Sequence, residues 1–309
     1  MKIAVTTVAA PFLSGGAERL ADGLVDVLKA QGHEVDLLTT PFRFHPEDDV
    51  LRSMAFWEGE SMEWVNGVDV DRVICLKFPT YALSHPKKVV WLLHQHRSVY
   101  ELWGRPGPGG VQPTVEGALL RRQVFDFDQR HLPSSHRLYT ISRTVSSRLL
   151  AFNRIRSRPL YHPPPMEGRY RTAEPEPFIF FPSRFEDHKR QVLIIRALQH
   201  CKQGVSLVLA GSGKDDVVGT LQRHAEALGL GARVRFVGHV TDEQMLDYYA
   251  RCLAVFFGPL EEDYGYVTLE AMLSAKPVIT CSDSGGPLEF VEDGETGFVT
   301  DPRPEAIAR

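Results

Sequence analysis

The chain has 309 residues, of which 43% are hydrophobic and 24% charged, and its formal net charge at pH 7 is −4. This length exceeds that of a usual single domain, so the sequence predicts two domains. The slightly acidic balance argues against general nucleic-acid binding. No apolar run reaches the roughly 18 residues that a membrane-spanning helix needs.

The amino-terminal residues and the cysteines indicate a reduced, cytoplasmic protein. Residues 3–13 are apolar enough to resemble part of a signal peptide, but Thr6, Thr7 and Pro11 interrupt them, so a buried first strand is the preferred interpretation. The cysteines are far apart and show neither metal-ligand spacing nor a disulfide pattern. They are Cys75, Cys201, Cys252 and Cys281.

Short apolar runs alternate with amphipathic stretches along the first half, a pattern typical of a parallel sheet covered by helices. A glycine-rich turn at residues 14–16 follows the first strand. The predicted strands are 2–7, 34–40, 72–77, 88–94 and 137–141, and the predicted helices are 17–30 and 143–152, the second capped by Ser142. Residues 41–65 and 103–115 are rich in glycine and proline and are predicted to be mobile loops.

A change of composition near residue 165 predicts a boundary between two domains. Residues 163–177 contain five prolines and cannot form regular structure. We therefore expect a first domain at 1–165, a linker at 166–177 and a second domain at 178–309.

The alternation of strands and helices resumes in the second half. The predicted strands are 178–182, 205–210, 233–237, 253–257, 277–281 and 297–300, and the predicted helices are 192–201, 215–228, 242–250 and 266–274. The predicted fold class is α/β, with two doubly wound domains facing a cleft, and ligands of such sheets bind outside the carboxyl ends of the strands.

Glu262 and Glu270 are separated by seven residues that span a predicted loop-to-helix junction. Gly265 breaks the apolar pattern there, and the helix is expected to start at Tyr266. The first backbone N–H groups of a helix lack partners within the helix, and its dipole favours an anion. The junction is therefore suited to a phosphorylated sugar, whose hydroxyls the two carboxylates could bind. Two ordinary surface charges are the alternative.

Other polar residues follow predicted strands of the second half. Arg184 and Lys189 come after strand 178–182 and could hold a diphosphate, although such residues are often only solvated. A turn with Gly211 and Gly213 follows the next strand and has little specificity by itself. His239, after strand 233–237, either borders a nucleotide base or lies on the loop surface.

In their order, these motifs resemble the donor-binding domain of the family-4 retaining glycosyltransferases (glycosyl transferases group 1), which have the GT-B fold. The resemblance covers nearly all of the second half. It implies that Glu262 binds the donor sugar, that Gly265, Tyr266 and Val267 offer backbone N–H groups to the phosphates, and that Glu270 accepts the ribose hydroxyls. It also implies that Arg184 and Lys189 hold the diphosphate, with Gly211, Gly213 and His239 beside the nucleotide.

The first half resembles the family less closely, and by that resemblance it would bind the acceptor. Gly15 and Gly16 match the glycine turn after the first strand, where the amides could approach the donor phosphates or the acceptor. Glu18, just inside the next helix, could equally be a first-turn helix charge. His94 matches the cleft histidine of the family and is preferred over His96 as a catalytic residue, with a packed strand-end histidine as the alternative.

The resemblance implies a retaining transfer of a sugar from a nucleoside diphosphate sugar, such as a UDP-sugar or GDP-sugar, to an acceptor hydroxyl. No cofactor is expected, because the nucleotide sugar is a substrate. No Asp-x-Asp motif is recognised at a strand end, so Arg184, Lys189 and helix amino termini are expected to balance the charge of the leaving group without a metal. Glu262 would be occupied with sugar hydroxyls, which leaves no evident nucleophile. By similarity with the family, we therefore expect same-face substitution through an oxocarbenium-like state.

Residues 121–158 contain nine arginines and only two acidic residues. Solvated helix faces are one interpretation, and contact with anionic lipid at the inner face of the membrane or with a phosphorylated acceptor is another. The acceptor itself could be a saccharide, a lipid-linked sugar or a small molecule. The chain ends at Arg309, where by this resemblance the family's last helices begin, so we expect either a shortened or a naturally short member.

Two other functions are compatible with the same motifs. A sugar-nucleotide epimerase of GT-B fold would act on the donor without an acceptor. A non-catalytic protein could bind the nucleotide sugar without transferring it.

Overall fold

The computed structural model of the chain describes residues 1–12, 15–105, 111–201 and 204–309. The chain divides into two compact units, the first comprising Met1–Pro165 and the second Met166–Arg309. Two of the predicted features, the turn at 14–16 and the loop at 103–115, lie partly outside the described residues.

The first unit is built on a six-stranded parallel sheet. The strands of this sheet are β1 (Lys2–Ala9), β2 (Glu34–Pro41), β5 (Arg72–Cys75), β6 (Lys88–Leu92), β7 (Arg137–Thr140) and β8 (Arg158–Pro159). A separate antiparallel hairpin is formed by β3 (Trp64–Val65) and β4 (Val68–Asp69). The strand order is β2-β1-β5-β6-β7-β8. Buried apolar residues such as Val5, Val73 and Val90 on its central strands form the core.

The α-helices among the described residues of the first unit are α1 (Gly16–Ala30), α2 (Glu47–Gly59), α3 (Val115–His131) and α4 (Arg143–Asn153). The Ser142 side chain accepts a hydrogen bond from the N–H of Val145 at 3.0 Å, so the predicted cap of α4 is present.

The prediction of a mobile loop over residues 41–65 is wrong, because α2 occupies its centre. Val50, Met54 and Trp57 recur at helical spacing and are buried. The indole N–H of Trp57 donates to the Thr40 hydroxyl at 3.2 Å. The polar residues between them concealed this apolar stripe, which becomes stable once it packs on the unit.

The second unit has a second six-stranded parallel sheet with strands β9 (Phe178–Pro182), β10 (Ser206–Ala210), β11 (Val234–Gly238), β12 (Ala254–Phe256), β13 (Val278–Cys281) and β14 (Gly297–Thr300). Its helices are α5 (Gln191–Ala197), α6 (Asp215–Ala227), α7 (Asp242–Arg251), α8 (Tyr266–Leu273) and α9 (Pro304–Ile307). The order is β11-β10-β9-β12-β13-β14, and the predicted α/β class with parallel sheets is confirmed.

The strand order of the second sheet fixes where a ligand can bind. The connection from β9 leads outward to β10 on one side, while β12 lies on the other side, so the direction of winding reverses between β9 and β12. In open α/β sheets the crevice outside the carboxyl ends of the strands at such a point is the usual ligand site. The loops after β9 and β12 are therefore the ones to inspect.

The proline-rich residues 166–177 belong to the second unit. The N–H of Ala173 donates to the carbonyl of Ala250 at 3.0 Å, and that of Glu176 to the carbonyl of Arg251 at 2.7 Å. The ring of Tyr170 packs edge-on against buried Tyr249. This segment thus runs along the end of α7 without regular structure of its own. Among the helices described, none combines the length and apolar character needed to cross a bilayer.

Candidate functional site

The loops after β9 and β12 meet at the reversal point of the second sheet. The N–H of Leu260 donates to the carbonyl of His188 at 2.7 Å and joins the two loops directly. Lys189 lies on the first loop and Glu262 on the second. The two predicted site residues are therefore neighbours, although they lie 73 positions apart in sequence.

Lys189 forms a shielded ion pair with Glu262. Its ammonium group donates to Oε2 of Glu262, and the two side chains expose only 13% and 16% of their surface. The same ammonium lies 5.6 Å from the centroid of the Phe257 ring. Hydrogen bonds of the Glu262 backbone with Ser284 and Gly286, both 2.8 Å, hold the loop against the turn after β13.

Gly265 starts α8 in a backbone conformation that favours glycine. Its φ is +89°, and a Cβ atom there would lie 2.8 Å from Cε1 of Phe257. The N–H groups of Gly265 and Val267 donate to no acceptor in the part of the chain that the structure describes. They are open donors at the amino end of a helix, where the dipole favours an anion.

Glu270 lies one turn inside α8 and is 8% exposed. The Tyr249 hydroxyl donates to its Oε2 at 2.6 Å. Burial, followed by the charge of Glu270, raises the pKa of Tyr249 well above its usual value, so this tyrosine remains a donor. No sequence signal identified Tyr249, because its contact with Glu270 connects α7 and α8 only in the folded unit.

Arg184 lies on the loop after β9, beside the glycine turn after β10. Its guanidinium lies 3.4 Å from Glu186 and is 42% exposed. Gly211 has a φ of +144°, and a Cβ atom there would lie 2.0 Å from the carbonyl oxygen of Ser183. A Cβ on Gly213 would come within 2.7 Å of Phe185. Both glycines are thus needed for the turn after β10 to pack closely against the loop after β9. The sequence alone had given this glycine turn little specificity.

A second ion pair near the site was missed by sequence reasoning. Arg190 donates to both carboxylate oxygens of Asp283, at 2.7 and 2.5 Å. Burial alone would lower the pKa of Arg190, but the hydrogen bonds and charge of Asp283 outweigh it and the pKa is raised. This fork ties the loop after β9 to the turn after β13. Its only signal in the sequence is the position of each residue next to a recognised motif.

His239 follows β11, two strands away from the reversal point, and its side chain is exposed. The N–H of Gly211 donates to the carbonyl of Gly238 at 2.8 Å, so the His239 loop adjoins the glycine turn. The structure brings Arg184, Lys189, Glu262 and the start of α8 to one edge of the sheet and leaves His239 at the periphery of that edge.

In the first unit, the predicted glycine turn is held by a salt bridge. Glu18 accepts a hydrogen bond from the N–H of Gly15 at 2.9 Å and pairs with the Lys77 ammonium at 2.9 Å. Burial alone would raise the pKa of Glu18, but Lys77 and the hydrogen bonds outweigh it and the pKa is lowered. Glu18 therefore caps α1, and Gly16 is the first residue of that helix.

His94 and His96 have different environments after β6, which ends two residues earlier than predicted, at Leu92. His94 is partly exposed, and its Nδ1 lies 2.7 Å from the carbonyl of Gln95. His96 is buried and stacks on Phe78 with ring centroids 5.0 Å apart. Burial, with His94 and His45 nearby, lowers the pKa of His96 to about 3. His96 is a neutral packing residue, whereas His94 has access to solvent.

A buried polar network holds the loop that carries these histidines. Asp128 on α3 is fully buried, and it accepts hydrogen bonds from the hydroxyls of Tyr81 and Tyr100 and from the Gln95 amide. The same amide donates to Asn153 on α4 at 2.8 Å. Burial raises the pKa of Asp128 to about 6 in spite of these donors. Sequence reasoning missed Asp128 because it lies in the last turn of α3 among other polar residues.

No cluster of three or more histidine, cysteine, aspartate or glutamate side chains suited to a metal occurs among the residues described. Asp69 and Asp71 have the Asp-x-Asp spacing that sequence inspection overlooked. Asp71 lies at the amino end of the first sheet, where it accepts from the N–H of Lys2 at 2.7 Å. It is thus at the edge opposite to the carboxyl ends of the strands.

Comparison with known proteins supports the family resemblance. Residues 166–309 match the family model described as "Glycosyl transferases group 1". A 136-residue segment is 31% identical to alpha-1,3/1,6-mannosyltransferase ALG2 of Homo sapiens, covering 40% of this chain and 32% of that protein. Another, of 147 residues, is 33% identical to the GDP-mannose-dependent alpha-(1-6)-phosphatidylinositol monomannoside mannosyltransferase of Mycolicibacterium smegmatis, covering 44% and 37%. The matches thus span about a third of these relatives' length.

Solved structures resemble almost the whole chain. Sucrose-phosphate synthase from Thermosynechococcus elongatus covers 99% of it with a TM-score of 0.78, at 16% identity and over 88% of that chain. Anabaena HepE in complex with UDP and glucose covers 100% with a TM-score of 0.65, at 20% identity and also over 88% of that chain. At such identities these likenesses establish the fold, which is GT-B as predicted. The whole of the second unit, residues 166–309, thus matches the glycosyl transferases group 1 family.

Proposed function

We propose that this protein is a glycosyltransferase that moves a sugar from a nucleoside diphosphate sugar to an acceptor hydroxyl. The observation that carries the proposal is the grouping of Lys189, Glu262 and the open N–H groups of Gly265 and Val267 at the reversal point of the second sheet. A cation, a carboxylate and amide donors are the groups that a phosphorylated sugar requires.

Each residue has a distinct role in this proposal. The N–H groups of Gly265, Tyr266 and Val267 bind the phosphates, and Arg184 and Lys189 balance the charge that develops on the leaving diphosphate. Because Lys189 is already paired with Glu262, the arriving phosphate would share an ammonium group whose position is fixed beforehand.

The two glutamates bind different parts of the donor. Glu262 accepts hydrogen bonds from the sugar, and Glu270, which Tyr249 holds in place, accepts them from the ribose. Gly211 and Gly213 let the loop beside the nucleotide approach closely, and His239 borders the base. In the first unit, which we propose binds the acceptor, Gly15 and Gly16 supply the turn and His94 is the proposed catalytic residue.

We infer a transfer that retains the anomeric configuration and requires no metal or cofactor. Glu262 is held by Lys189 and is assigned to hydroxyl binding, so it is not the nucleophile of a double displacement. Same-face substitution then follows, in which the bond from the anomeric carbon to the phosphate oxygen breaks as the bond to the acceptor oxygen forms. The departing phosphate takes the acceptor's proton. The cationic side chains supply the electrostatic stabilisation that a metal would otherwise provide.

The names of related proteins guide the choice of donor. One relative is named as dependent on GDP-mannose, and one structural neighbour was solved with UDP and glucose. We therefore propose a UDP- or GDP-linked hexose as the donor and a saccharide, lipid-linked or small-molecule hydroxyl as the acceptor.

A thermal-stability screen of UDP- and GDP-hexoses tests donor binding first. A donor at 100 times its Kd should stabilise the protein by about 2.7 kcal/mol. If no nucleotide sugar stabilises the chain, the proposal fails at its first step.

Transfer is then tested with the stabilising donor and a panel of acceptors, with the product's anomeric configuration read by NMR. A retained configuration is expected, and an inverted product would refute the stereochemical proposal. Donor that is isomerised or hydrolysed equally well without an acceptor would indicate an epimerase. Donor binding that is never followed by transfer would indicate a non-catalytic binder.

A further inference from the structure

The structure divides the nine arginines of residues 121–158 into two sets. Five have partners in the first unit: Arg121 with the Val99 carbonyl, Arg122 with Asp126, Arg130 with Glu58, Arg143 with the Tyr161 hydroxyl and Arg148 with Glu101. The other four are Arg137, Arg154, Arg156 and Arg158. Their side chains have no ion pair or hydrogen bond with any part of the chain that the structure describes.

These four arginines line one concavity of about 520 Å³. Arg137 is the first residue of β7 and Arg158 the first of β8, while Arg154 and Arg156 lie between α4 and β8. The concavity therefore lies at the amino ends of the strands, at the edge of the sheet opposite to His94. A volume of this order accommodates a small ligand.

The lining carries positive charge without compensation. His136 also lines it, and no acidic residue does. The nearest acidic residues in sequence are Asp128 and Glu167, so no carboxylate occurs over residues 129–166. This basic cluster belongs to a chain whose formal net charge is −4.

Four arginines that line one concavity repel each other, because each guanidinium group carries a positive charge. The negative end of the α4 dipole offsets part of that repulsion. An anion with several oxygens would remove the remainder, since each guanidinium can donate two parallel hydrogen bonds to a phosphate. All four arginines are exposed and can receive such a ligand without unfolding any element.

We propose that this arginine pocket, formed by Arg137, Arg154, Arg156 and Arg158, binds a compact phosphate-bearing polyanion, either free in solution or as a lipid headgroup. The pocket is separate from the donor site of the second unit. According to this proposal, only four of the nine arginines in residues 121–158 bind the anion.

Arg154 offers a substitution that removes charge without harming the fold. Its φ is +59°, in the left-handed region just after α4, where glycine is the usual residue. Arg154→Gly relieves this backbone strain, so the protein should fold at least as well as before. Loss of anion binding in this variant therefore cannot be ascribed to unfolding.

The test measures the binding of inorganic pyrophosphate by calorimetry, in a chain that already carries Arg184→Gln and Lys189→Gln to remove the two cations proposed for the donor site. We expect saturable binding that weakens with salt. Adding Arg154→Gly and Arg156→Gln should weaken it at least tenfold, whereas adding Arg122→Gln, a matched change on α3, should leave it unchanged. The pyrophosphate affinity of the Arg156→Lys variant should lie between these two, because lysine keeps the charge but cannot donate two parallel hydrogen bonds.

Vesicles distinguish the two sources of phosphate. Sedimentation with phosphatidylcholine vesicles containing phosphatidic acid is compared with pure phosphatidylcholine vesicles, using the same variants. If pyrophosphate binds and the vesicles do not, the ligand is a free anion. If the protein binds the vesicles and the pocket substitutions abolish that binding, the ligand is a lipid headgroup. The proposal is overturned if neither probe binds, or if binding is as strong in the pocket variants as in the Arg122→Gln chain.

Discussion

The Lys189 ammonium donates to Oε2 of Glu262, and this pair joins the loop after β9 to the loop after β12. Both side chains are largely shielded from solvent. Each charge is therefore stabilised by the other, because an unpaired charge shielded from water would destabilise the fold. The pair therefore combines a structural contribution with a proposed role in donor binding, and substitutions can separate the two.

Replacing Glu262 by Gln should weaken both stability and activity. The variant leaves the Lys189 ammonium beside a neutral amide, at an expected cost of about 1–3 kcal/mol in the free energy of unfolding. Loss of a charged hydrogen bond to the sugar should lower kcat/KM by about 10- to 100-fold. Urea denaturation and initial rates measure the two effects. Glu295→Gln, an exposed position in the same unit, should change neither.

Exchanging the two charges separates the structural role from the proposed function. The double variant Lys189→Glu/Glu262→Lys can re-form the ion pair and should recover most of the stability lost in Glu262→Gln. It should stay inactive, because a carboxylate would then face the donor phosphates. Recovery of activity along with stability would show that the pair acts only structurally.

Tyr249→Phe should weaken binding of the donor nucleotide. The substitution removes the 2.6 Å hydrogen bond to Glu270, which contributes about 1.5–3 kcal/mol when the acceptor is charged. We expect a lower Tm and a Kd for the nucleoside diphosphate raised about tenfold, both measurable by calorimetry. Tyr248→Phe is the matched control, because Tyr248 stacks on Phe180 and its hydroxyl has no hydrogen bond within the described chain. Equal effects of the two substitutions would contradict the positioning role of Tyr249.

Gly265→Ala should be more damaging than Gly294→Ala. Both glycines have positive φ, +89° and +79°, so alanine costs each about 1–2 kcal/mol in backbone strain. At Gly265 the new Cβ would also meet the Phe257 ring at 2.8 Å, which adds about 1–3 kcal/mol of overpacking, whereas Gly294 faces open space. Denaturation midpoints compare the two variants. Similar values for both would show that the close contact with Phe257 is unimportant.

Asp128 should make the unfolding free energy depend on pH. Burial raises its pKa in the folded protein to about 6, above the 3.8 of the ordinary side chain. The folded state therefore binds the proton more tightly than the unfolded state does. The resulting stabilisation of the folded state is fully present below about pH 4 and is lost as the pH rises through 6. A shift of two pKa units corresponds to about 3 kcal/mol.

Asp128→Asn should abolish that dependence. The difference in unfolding free energy between the wild-type and variant proteins should fall by about 2 kcal/mol between pH 4 and pH 7, measured by urea denaturation at each pH. Asp126→Asn removes a carboxylate two residues away on the exposed face of α3 and should leave the pH profile unchanged. A profile of Asp128→Asn parallel to that of the wild type would contradict the prediction.

His94 and His96 should respond differently to substitution. His96 is neutral and buried among aromatic rings, and its Nε2 has no hydrogen-bond partner among the described residues. His96→Phe should therefore preserve the unfolding free energy and the transfer rate, because an apolar ring replaces an imidazole whose buried nitrogen makes no hydrogen bond. His94→Phe should lower kcat, because His94 is the proposed catalytic residue of the first unit. Comparable rate losses in both variants would instead indicate that the whole loop is sensitive to packing.

Much of the fold could be predicted because its signals are local. Each central strand is a short apolar run bounded by glycine, proline or charge, and β9 and β14 have the predicted bounds. Helix α2 was missed because its apolar stripe of Val50, Met54 and Trp57 lies in a polar sequence. Strand β6 ends early because the chain turns there to bury Gln95 beside Asp128. Contacts of this kind have no periodicity that a sequence reveals.

The sequence by itself determined the parallel α/β architecture, the glycine at the start of α8 and the order of the motifs around Glu262 and Glu270, because each depends on residues close together in the chain. Only the tertiary structure decided that Lys189 pairs with Glu262, that Tyr249 holds Glu270 and that four of nine arginines share one pocket. The physical reason is that a parallel sheet aligns the ends of strands that are distant in sequence. The partners of each charge are therefore fixed by strand order.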